Sequence, residues 1–379
     1  MSHIEPFQVM ELLARAKALE AAGRSIIHME IGEPDFGSPQ PVIDAGKRAL
    51  DAGHVHYTAA LGLPALRSRI ARFYGERYGV DLDPARVVVT SGSSGALLLA
   101  MAVLLSPGDK VLMTDPGYPA NRHFVRMMEG VPVGVPVGPD TRYQLTATAI
   151  DAGWDARTVA ALIASPSNPT GTLVSTEALA AIVERVRAHG GRLIVDEIYH
   201  GLVYGPAARS ALELGDDLFV VNSFSKYFHM TGWRLGWLVA PDAYVRDIEK
   251  LAQNVYLSAP TPAQHAALEA FEPATIEILE DRRREFERRR DFLVPALRAL
   301  GFRIPVIPEG AFYVYADASA FTDDSFAFCG QLLETAGVAI TPGLDFGSHG
   351  ARSHVRFAYT TTVDRLAEAV ERIRRFIGR

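Results

Sequence analysis

One lysine stands apart in this chain of 379 residues. The chain has only five lysines, and the other four lie in helix-like stretches or directly after a turn. Lys226 instead follows two serines, Ser223 and Ser225, and precedes Arg234 by eight residues. A lysine amine that loses solvation among such neighbours has a lowered pKa and attacks carbonyl carbons. The pattern predicts that Lys226 is an amine nucleophile, against the alternative of an ordinary solvated lysine.

A carboxylate ends one of the apolar segments of the sequence. Asp196 directly follows the run 192–195, and Tyr199 comes three residues later. Burying a carboxylate at the end of an apolar strand is costly unless a cation faces it. A protonated ring nitrogen of a cofactor is such a cation. We therefore expect a cation to face the Asp196 carboxylate.

A short loop of glycines and serines joins a β-branched run, residues 87–90, to an apolar stretch, residues 96–105. Its members include Gly92, Ser93 and Ser94. A strand followed by such a loop and a helix N-terminus holds phosphate through free backbone N–H groups and the helix dipole. The loop lacks the dinucleotide glycine pattern and the lysine of a triphosphate loop. It predicts a phosphate site, with a capped turn as the alternative.

The spacing of three polar residues predicts how the chain brings them together. Asn168, Asp196 and Lys226 each follow an apolar run, and they lie 28 and 30 residues apart. That interval is the length of a β-α-β unit, so all three are expected at one edge of a mostly parallel sheet. The three preceding runs, each read as a strand, are residues 158–164, 192–195 and 218–222.

Hydrophobic periodicity and turn residues predict the other elements. Helices are expected at residues 7–22, 41–52, 96–105, 175–189, 242–258, 262–271, 274–300, 326–336 and at the end of the chain. Further strands are expected at residues 26–31, 87–90, 110–114, 235–239, 302–307, 310–315, 338–340 and 354–358.

The lysine segment resembles the cofactor signature of the class I and II aminotransferases, the aspartate aminotransferase superfamily that uses pyridoxal 5′-phosphate (PLP). In that signature a lysine flanked by hydroxyl or small residues precedes an arginine, as Ser223, Ser225, Lys226 and Arg234 do here. One position departs from the family pattern, because His229 stands where a small residue is usual. The shape of the neighbouring pocket is therefore left open.

Other segments resemble family motifs in the family order, so the resemblance covers nearly the whole chain. It implies a PLP-dependent transferase of fold type I. That fold is α/β, with a mostly parallel sheet sandwiched by helices and a smaller α+β domain. The implied division is an N-terminal segment (1–40) contributing to the small domain, a large PLP-binding domain (41–272) and a small C-terminal domain (273–379). The matching residues are Gly32, Tyr57, Tyr118, Asn168 and Arg356.

The resemblance also implies roles for these residues. Lys226, Asp196 and Tyr199 are the expected catalytic residues, with Lys226 joined to PLP as a Schiff base. Asp196 is expected at the pyridine nitrogen, Asn168 and Tyr199 at the ring oxygen, and Tyr118 against the ring. The phosphate is expected at Ser93, Ser94, Ser223 and Arg234, with Tyr57 reaching it from the partner of a homodimer. Gly92 and Ser225 are also expected to bind the cofactor. The substrate carboxylate is expected at Gly32, Asn168 and Arg356.

We therefore expect an aminotransferase that moves an amino group from an amino acid to a 2-oxo acid. Alternatives are another PLP reaction, such as a carbon–sulfur lyase, or a non-catalytic PLP-binding regulatory module. Arg356 addresses only the α-carboxylate, and the weak candidates for a distal carboxylate are Arg122 and His229. This favours a neutral or apolar amino acid, with 2-oxoglutarate or pyruvate as acceptor.

Composition argues against nucleic-acid-binding, disulfide-stabilised, membrane and secreted proteins. A net charge of −6 without a basic tract argues against nucleic acid as a main partner. The single cysteine, Cys329, excludes an intramolecular disulfide framework and fits a reducing compartment. The run 96–105 is far shorter than the roughly 20 residues of a membrane span, and residues 1–7 lack a signal-peptide pattern. We expect a cytoplasmic protein with no membrane partner and no metal, His54 and His56 being an incidental pair.

Overall fold

A computed structural model describes residues 8–205 and 207–378. Phe7, the expected first residue of the N-terminal helix, lies outside these ranges together with the rest of residues 1–7. The helices of the described chain are α1 (Gln8–Ala21), α2 (Gln40–Asp51), α3 (Pro64–Tyr78), α4 (Gly92–Leu104), α5 (Pro119–Met127), α6 (Ala147–Gly153), α7 (Thr176–Ala188), α8 (Asp242–Val255), α9 (Thr261–Glu269), α10 (Pro273–Leu300), α11 (Ser325–Ala336) and α12 (Val363–Phe376).

The strands form one large and two small sheets. Within the described residues, the strands are β1 (Ile27–His28), β2 (Val87–Thr90), β3 (Lys110–Asp115), β4 (Val131–Pro136), β5 (Thr158–Ala164), β6 (Arg192–Asp196), β7 (Phe219–Ser223), β8 (Gly236–Val239), β9 (Tyr313–Asp317), β10 (Val338–Ala339), β11 (Thr341–Pro342) and β12 (His354–Ala358). The large sheet has seven strands in the order β2-β8-β7-β6-β5-β3-β4. Its pairings are parallel except those of β8, which is antiparallel to both neighbours.

The central strands are apolar throughout because helices cover both faces of the sheet. Alternate side chains of a strand point to opposite faces, and the two faces pack into different clusters. Leu162 of β5 packs in one cluster with residues of α4 and α8. Ile163, the next residue, packs in the other cluster with residues of α3 and α7. This is the mostly parallel, helix-covered α/β sheet that the sequence predicts.

Most predicted elements are present, with shifted ends. Strands 87–90, 158–164 and 354–358 match residue for residue. The strand predicted at 26–31 is only Ile27–His28. Helix α4 begins at Gly92, four residues before the predicted start, so the glycine–serine loop forms its first turn. The sequence predicts neither helices α3, α5 and α6 nor strands β4 and β11.

The prediction of a strand at residues 302–307 is wrong. Arg303 makes a single antiparallel bridge with Asp317, and the segment forms no ladder. Pro305 lies in the middle of the run and Pro308 directly after it. Proline has no N–H to donate to a sheet, so an apolar β-branched run that contains one is confined to edges and bridges.

One of the two small sheets joins the two ends of the described chain. β9, β11 and β12 form an antiparallel sheet, and β1 pairs in parallel with β10. The N-terminal segment therefore hydrogen-bonds to the C-terminal part of the chain. We propose from this pairing that segment 1–40 belongs with a small domain at 273–379, and that residues 41–272 form the large domain.

A search of residues 8–205 and 207–378 for membrane spans finds no helix with the necessary length and apolar character. In the same residues, no group of three or more His, Cys, Asp or Glu side chains is arranged to hold a metal ion.

Candidate active site

One cavity of about 310 Å³ lies at the carboxyl ends of the central strands. β5, β6 and β7 are neighbours in the sheet, and Asn168, Asp196 and Lys226 follow or end them. The spacing argument from the sequence therefore predicts their meeting correctly. The predicted site residues that line the cavity are Gly32, Ser93, Ser94, Tyr118, Asn168, Asp196, Tyr199, Ser225, Lys226, Arg234 and Arg356.

Lys226 presents its amine to this cavity. Nζ donates a hydrogen bond to the carbonyl oxygen of Gly32 at 2.5 Å. It also lies 5.9 Å from the centre of the Tyr199 ring and 5.8 Å from that of Phe312. Loss of solvent among these groups lowers the pKa of Lys226 to about 8. Roughly a tenth of the amine is therefore neutral and nucleophilic at pH 7, far more than for a solvated lysine.

Asp196 is buried at the end of β6. Its carboxylate accepts a hydrogen bond from the backbone N–H of Ile198 at 3.0 Å. Burial nevertheless raises the pKa of Asp196 to about 7, and the charge of Lys226 only partly opposes that shift. A cation placed against this carboxylate would restore its ionised form. The protonated pyridine nitrogen of PLP fits that requirement.

The N-terminus of α4 and Arg234 form an anion cradle. Gly92 begins the helix with φ +73°, and a Cβ at that position would lie 2.7 Å from Nη2 of Arg234. A Cβ on Gly236 would lie 2.8 Å from the backbone nitrogen of Ser93. The two glycines therefore allow the guanidinium and the first-turn N–H groups to converge. Such convergence suits a phosphate group.

Three of the predicted site residues are placed away from the cavity wall. Gly92 lies behind the cradle, as described. The hydroxyl of Ser223 donates to the Leu235 carbonyl at 3.1 Å and contacts Oγ of Ser225 at 2.9 Å. Ser223 therefore supports Ser225 from behind, and Ser225 lines the cavity. Tyr57 is 81% exposed and does not contribute to the cavity of its own chain.

Arg356 is buried on β12 and is held on several sides. Nη1 donates to Oδ1 of Asn168 at 2.9 Å, and Nη2 donates to the Glu30 carbonyl at 2.5 Å and to Oγ1 of Thr341 at 3.1 Å. Nε has no hydrogen-bond partner in the described structure. A fixed, buried guanidinium with an unused donor suits a carboxylate ligand.

Sequence reasoning missed Tyr313 and Phe346, which also line the cavity. The Arg356 guanidinium carbon lies 4.3 Å from the centre of the Tyr313 ring and 4.9 Å from that of Phe346. Tyr313 belongs to the run 310–315, which the sequence predicts only as a strand. The aromatic side chain of Tyr313 is the one feature of the sequence that could have suggested a place in the site. Phe346 follows a short loop whose course the local sequence does not specify.

The two weak candidates for a distal carboxylate do not line the cavity. His229 is buried with φ 52°, and its ring packs against Phe36 and Phe286 at centroid distances of 5.5 and 6.2 Å. Burial lowers its pKa to about 3, so the ring is neutral. Arg122 donates to the Asp345 carbonyl at 3.1 Å. The His229 ring therefore does not shape the cavity, although this position departs from the family pattern.

A desolvated amine, a carboxylate that requires a cation and a phosphate cradle define an enzyme site for a phosphorylated carbonyl cofactor. The model of the family "Aminotransferase class I and II" matches residues 24–373, and the chain belongs to that family. It is 40% identical to a valine–pyruvate aminotransferase of Mycobacterium tuberculosis, over 98% of this chain and 96% of that protein. It is 36% identical to an aspartate aminotransferase of Geobacillus stearothermophilus, over 100% and 98%.

The fold agrees with this assignment. A crystal structure of an aminotransferase from Mycobacterium tuberculosis matches with a TM-score of 0.96 and 40% identity, covering 100% of this chain and 98% of that one. The protein is thus an aminotransferase that uses PLP, built on fold type I as the sequence predicts. The carbon–sulfur lyase and the non-catalytic module are not favoured, because the full-length relatives are aminotransferases.

Proposed function

We propose that this enzyme transfers an amino group from a neutral or apolar amino acid to a 2-oxo acid, with Lys226 as its central residue. The observation that carries the proposal is the meeting of the Lys226 amine, the buried Asp196 and the anion cradle of Ser93, Ser94 and Arg234 in one cavity. Lys226 would attach PLP through its amine, Asp196 would face the pyridine nitrogen, and Ser93, Ser94, Ser225 and Arg234 would hold the phosphate.

PLP, when bound, supplies a conjugated ring that accepts the electron pair of the substrate Cα–H bond. With PLP bound, the Lys226 amine would serve as the base that takes the substrate Cα proton and as the acid that delivers it to the former aldehyde carbon of the cofactor. Its lowered pKa, about 8, suits both roles near neutral pH. Asn168 and Tyr199 would hold the ring oxygen, and Tyr118 would stack on the ring.

Arg356 binds the α-carboxylate of the substrate, with Gly32 against the same group. Its guanidinium is preorganised because Asn168 Oδ1 and the Glu30 carbonyl hold it in place. This contact orients the substrate so that the Cα–H bond is the one that breaks.

The rest of the cavity favours an apolar substrate side chain. Among the described residues its cationic side chains are Lys226, Arg234 and Arg356, each of which has a proposed partner already. Asp345 also lies in the wall, but its carboxylate oxygens accept hydrogen bonds from the backbone N–H groups of Gln8 and Val9, and it offers no cation to a distal carboxylate. The valine–pyruvate relative supports this choice, with pyruvate or 2-oxoglutarate as acceptor. The apolar wall residues are Val9, Met10, Leu13, Ile31, Leu97, Ile198 and Phe346.

A panel of amino donors tests the substrate class. We expect apolar amino acids such as valine to have the highest kcat/KM, and aspartate to be far slower because it would bring a second carboxylate to this wall. Arg356→Gln should lower kcat/KM for all of them by about 10²–10³-fold, since a buried charge pair is broken. Arg352→Gln, at an exposed arginine four residues earlier, is the control and should change little. A preference for aspartate over every neutral donor contradicts the proposal.

We further propose a homodimer in which Tyr57 completes the phosphate site of the partner subunit. Its side chain is 81% exposed in the single chain, and the nearby Val55 is 58% exposed. Apolar exposure of this kind is typical of interfaces. The localisation proposal is the cytoplasm, which fits Cys329 as a free, buried thiol.

Mixed dimers test whether Tyr57 acts across the interface. One chain carries Lys226→Ala and the other Tyr57→Phe, so one site of the mixed dimer has native Lys226 and receives native Tyr57 from its partner. That site should bind PLP with wild-type affinity. The Tyr57→Phe homodimer should bind about 10–150-fold more weakly, since a hydrogen bond to a charged acceptor is lost.

The reciprocal dimer is the control. It pairs a wild-type chain with a chain carrying both substitutions, and its single lysine-bearing site then receives Tyr57→Phe from the partner. Weak PLP binding at that site is expected. Wild-type affinity there, with weak binding in the first mixed dimer, would mean that Tyr57 acts within its own chain.

A further inference from the structure

Tyr313 connects two parts of the site that the proposed function treats separately. It is fully buried on β9, and its hydroxyl lies 2.8 Å from the hydroxyl of Tyr199, itself buried. On its other side, the ring stacks under the Arg356 guanidinium at 4.3 Å. One side chain thus contacts both the residue proposed for the ring oxygen and the residue proposed for the substrate carboxylate.

The hydroxyl of Tyr313 is also fixed by Gly32. A Cβ at Gly32 would lie 2.4 Å from Oη of Tyr313, so the hydroxyl packs directly against the glycine backbone. The carbonyl of the same Gly32 accepts the hydrogen bond from Lys226. This close approach requires glycine at position 32 and leaves the Tyr313 hydroxyl little freedom to move.

The chemistry of two adjacent hydroxyls gives this contact a direction. Each hydroxyl has one proton to donate, and Tyr199 cannot give its proton both to Tyr313 and to a cofactor oxygen. In the described structure Tyr199 Oη is the hydrogen-bond partner of Tyr313 Oη. A buried hydroxyl without an acceptor is costly. Donation from Tyr313 to Tyr199 satisfies both groups and directs the Tyr199 proton toward the cofactor.

We propose that Tyr313 is a positioning residue that orients the Tyr199 hydroxyl toward the ring oxygen of PLP and braces the Arg356 guanidinium for the substrate carboxylate. The inference rests on the proposed roles of Tyr199 and Arg356. It adds a residue from β9 to a site otherwise built mainly from the large sheet, and it couples cofactor and substrate recognition through one ring.

Tyr313→Phe tests the hydroxyl and keeps the ring. The measurement is the pH titration of the absorbance of the lysine-bound cofactor, which reports the charge on the ring system. With Tyr313 lost as a donor, Tyr199 becomes a weaker donor to the ring oxygen. The titration midpoint should rise by about 0.4–1 pH unit. Tyr199→Phe should raise it further, and Tyr313→Phe added to Tyr199→Phe should produce no additional rise.

Tyr315→Phe is the matched control. Tyr315 is a buried tyrosine two residues along the same strand, and its hydroxyl has no hydrogen-bond partner in the described structure. Its removal should leave the midpoint unchanged. Tyr313→Leu, which removes the ring, should raise KM for the amino donor about 2–30-fold through loss of the contact with Arg356. Tyr313→Phe should leave that KM near the wild-type value.

The outcomes separate this inference from the proposed function. A midpoint that moves in Tyr199→Phe but not in Tyr313→Phe overturns the role of Tyr313 alone. An equal shift from Tyr313→Phe with and without Tyr199 also overturns it, because the effect would not pass through Tyr199. No shift in Tyr199→Phe removes the proposed role of Tyr199, and the inference with it. If Tyr313→Leu does not fold, the Phe titration decides.

Discussion

Lys226→Ala should nearly abolish turnover and leave PLP without a covalent bond to the protein. This is the largest effect we expect, because the variant loses the group that attaches the cofactor and the group that moves the Cα proton. Acid–base catalysis alone contributes about 10²–10⁴-fold, and loss of a residue with two roles should lower kcat by about 10⁴-fold or more. The variant should retain the fold, since the amine hydrogen-bonds only to the Gly32 carbonyl at the cavity wall.

Borohydride reduction followed by peptide mapping measures the attachment. In the wild-type protein the reduced cofactor should be found on Lys226 alone. Lys47→Ala is the control, because Lys47 is exposed and pairs with Asp44 at 3.2 Å; it should keep full activity. The rate of cofactor attachment should rise with pH through about 8, where the Lys226 amine loses its proton. Cofactor fixed to another lysine would show that Lys226 is not the attachment site.

The central part of the site could be predicted because local patterns specify it. Asn168, Asp196 and Lys226 follow apolar runs at a regular interval, and parallel strands must end at the same edge of the sheet. Their neighbours in sequence, including Tyr199 and Arg234, are then placed by short loops. Each of these predictions depends only on a strand, the residues that follow it and the direction of the sheet.

The remaining features depend on contacts between distant segments. Tyr313 meets Tyr199 across 114 residues of chain, and no local pattern predicts which side chain β9 presents there. The apolar wall from α1 is equally remote in sequence. Ser223 and Ser225 look equivalent in sequence, but Ser223 ends β7 with its hydroxyl bonded to the Leu235 carbonyl, whereas Ser225 lies beyond the strand and lines the cavity. Strand β4 was missed because its prolines and glycine weaken the strand signal at a sheet edge.

Asp196→Asn should retain the cavity and remove the charge that we propose holds the pyridine nitrogen protonated. We expect kcat to fall by about 10²–10³-fold, the usual effect of removing one preorganised electrostatic contact. The cofactor should still bind through Lys226 and the phosphate cradle. Stopped-flow measurement of Cα-proton removal, with a deuterated donor, should show that this step has become slower and limits the rate.

Asp196→Asn should lower kcat but raise the stability of the folded protein when PLP is absent. Burial raises the pKa of Asp196 from 3.8 to about 7, so the folded protein holds a proton that the unfolded chain releases. The wild-type protein therefore loses stability as pH rises from about 4 to about 7. Asp196→Asn has no carboxyl group to titrate at this position and does not lose stability in this way. Without PLP, the Tm of the variant relative to that of the wild type should therefore increase as pH rises across the same interval.

Glu197→Gln separates the effect on kcat from the effect on the pH dependence of Tm. Glu197 is the next residue, also buried, with its pKa raised by burial to about 8, and its carboxylate accepts hydrogen bonds from Ser210 and from the Ala211 N–H away from the cavity. Its replacement should change the pH dependence of Tm while leaving kcat near the wild-type value. If Glu197→Gln slows proton removal as much as Asp196→Asn does, the loss reflects general disturbance of a buried carboxylate. If only Asp196→Asn slows it, the charge acts at the cofactor ring.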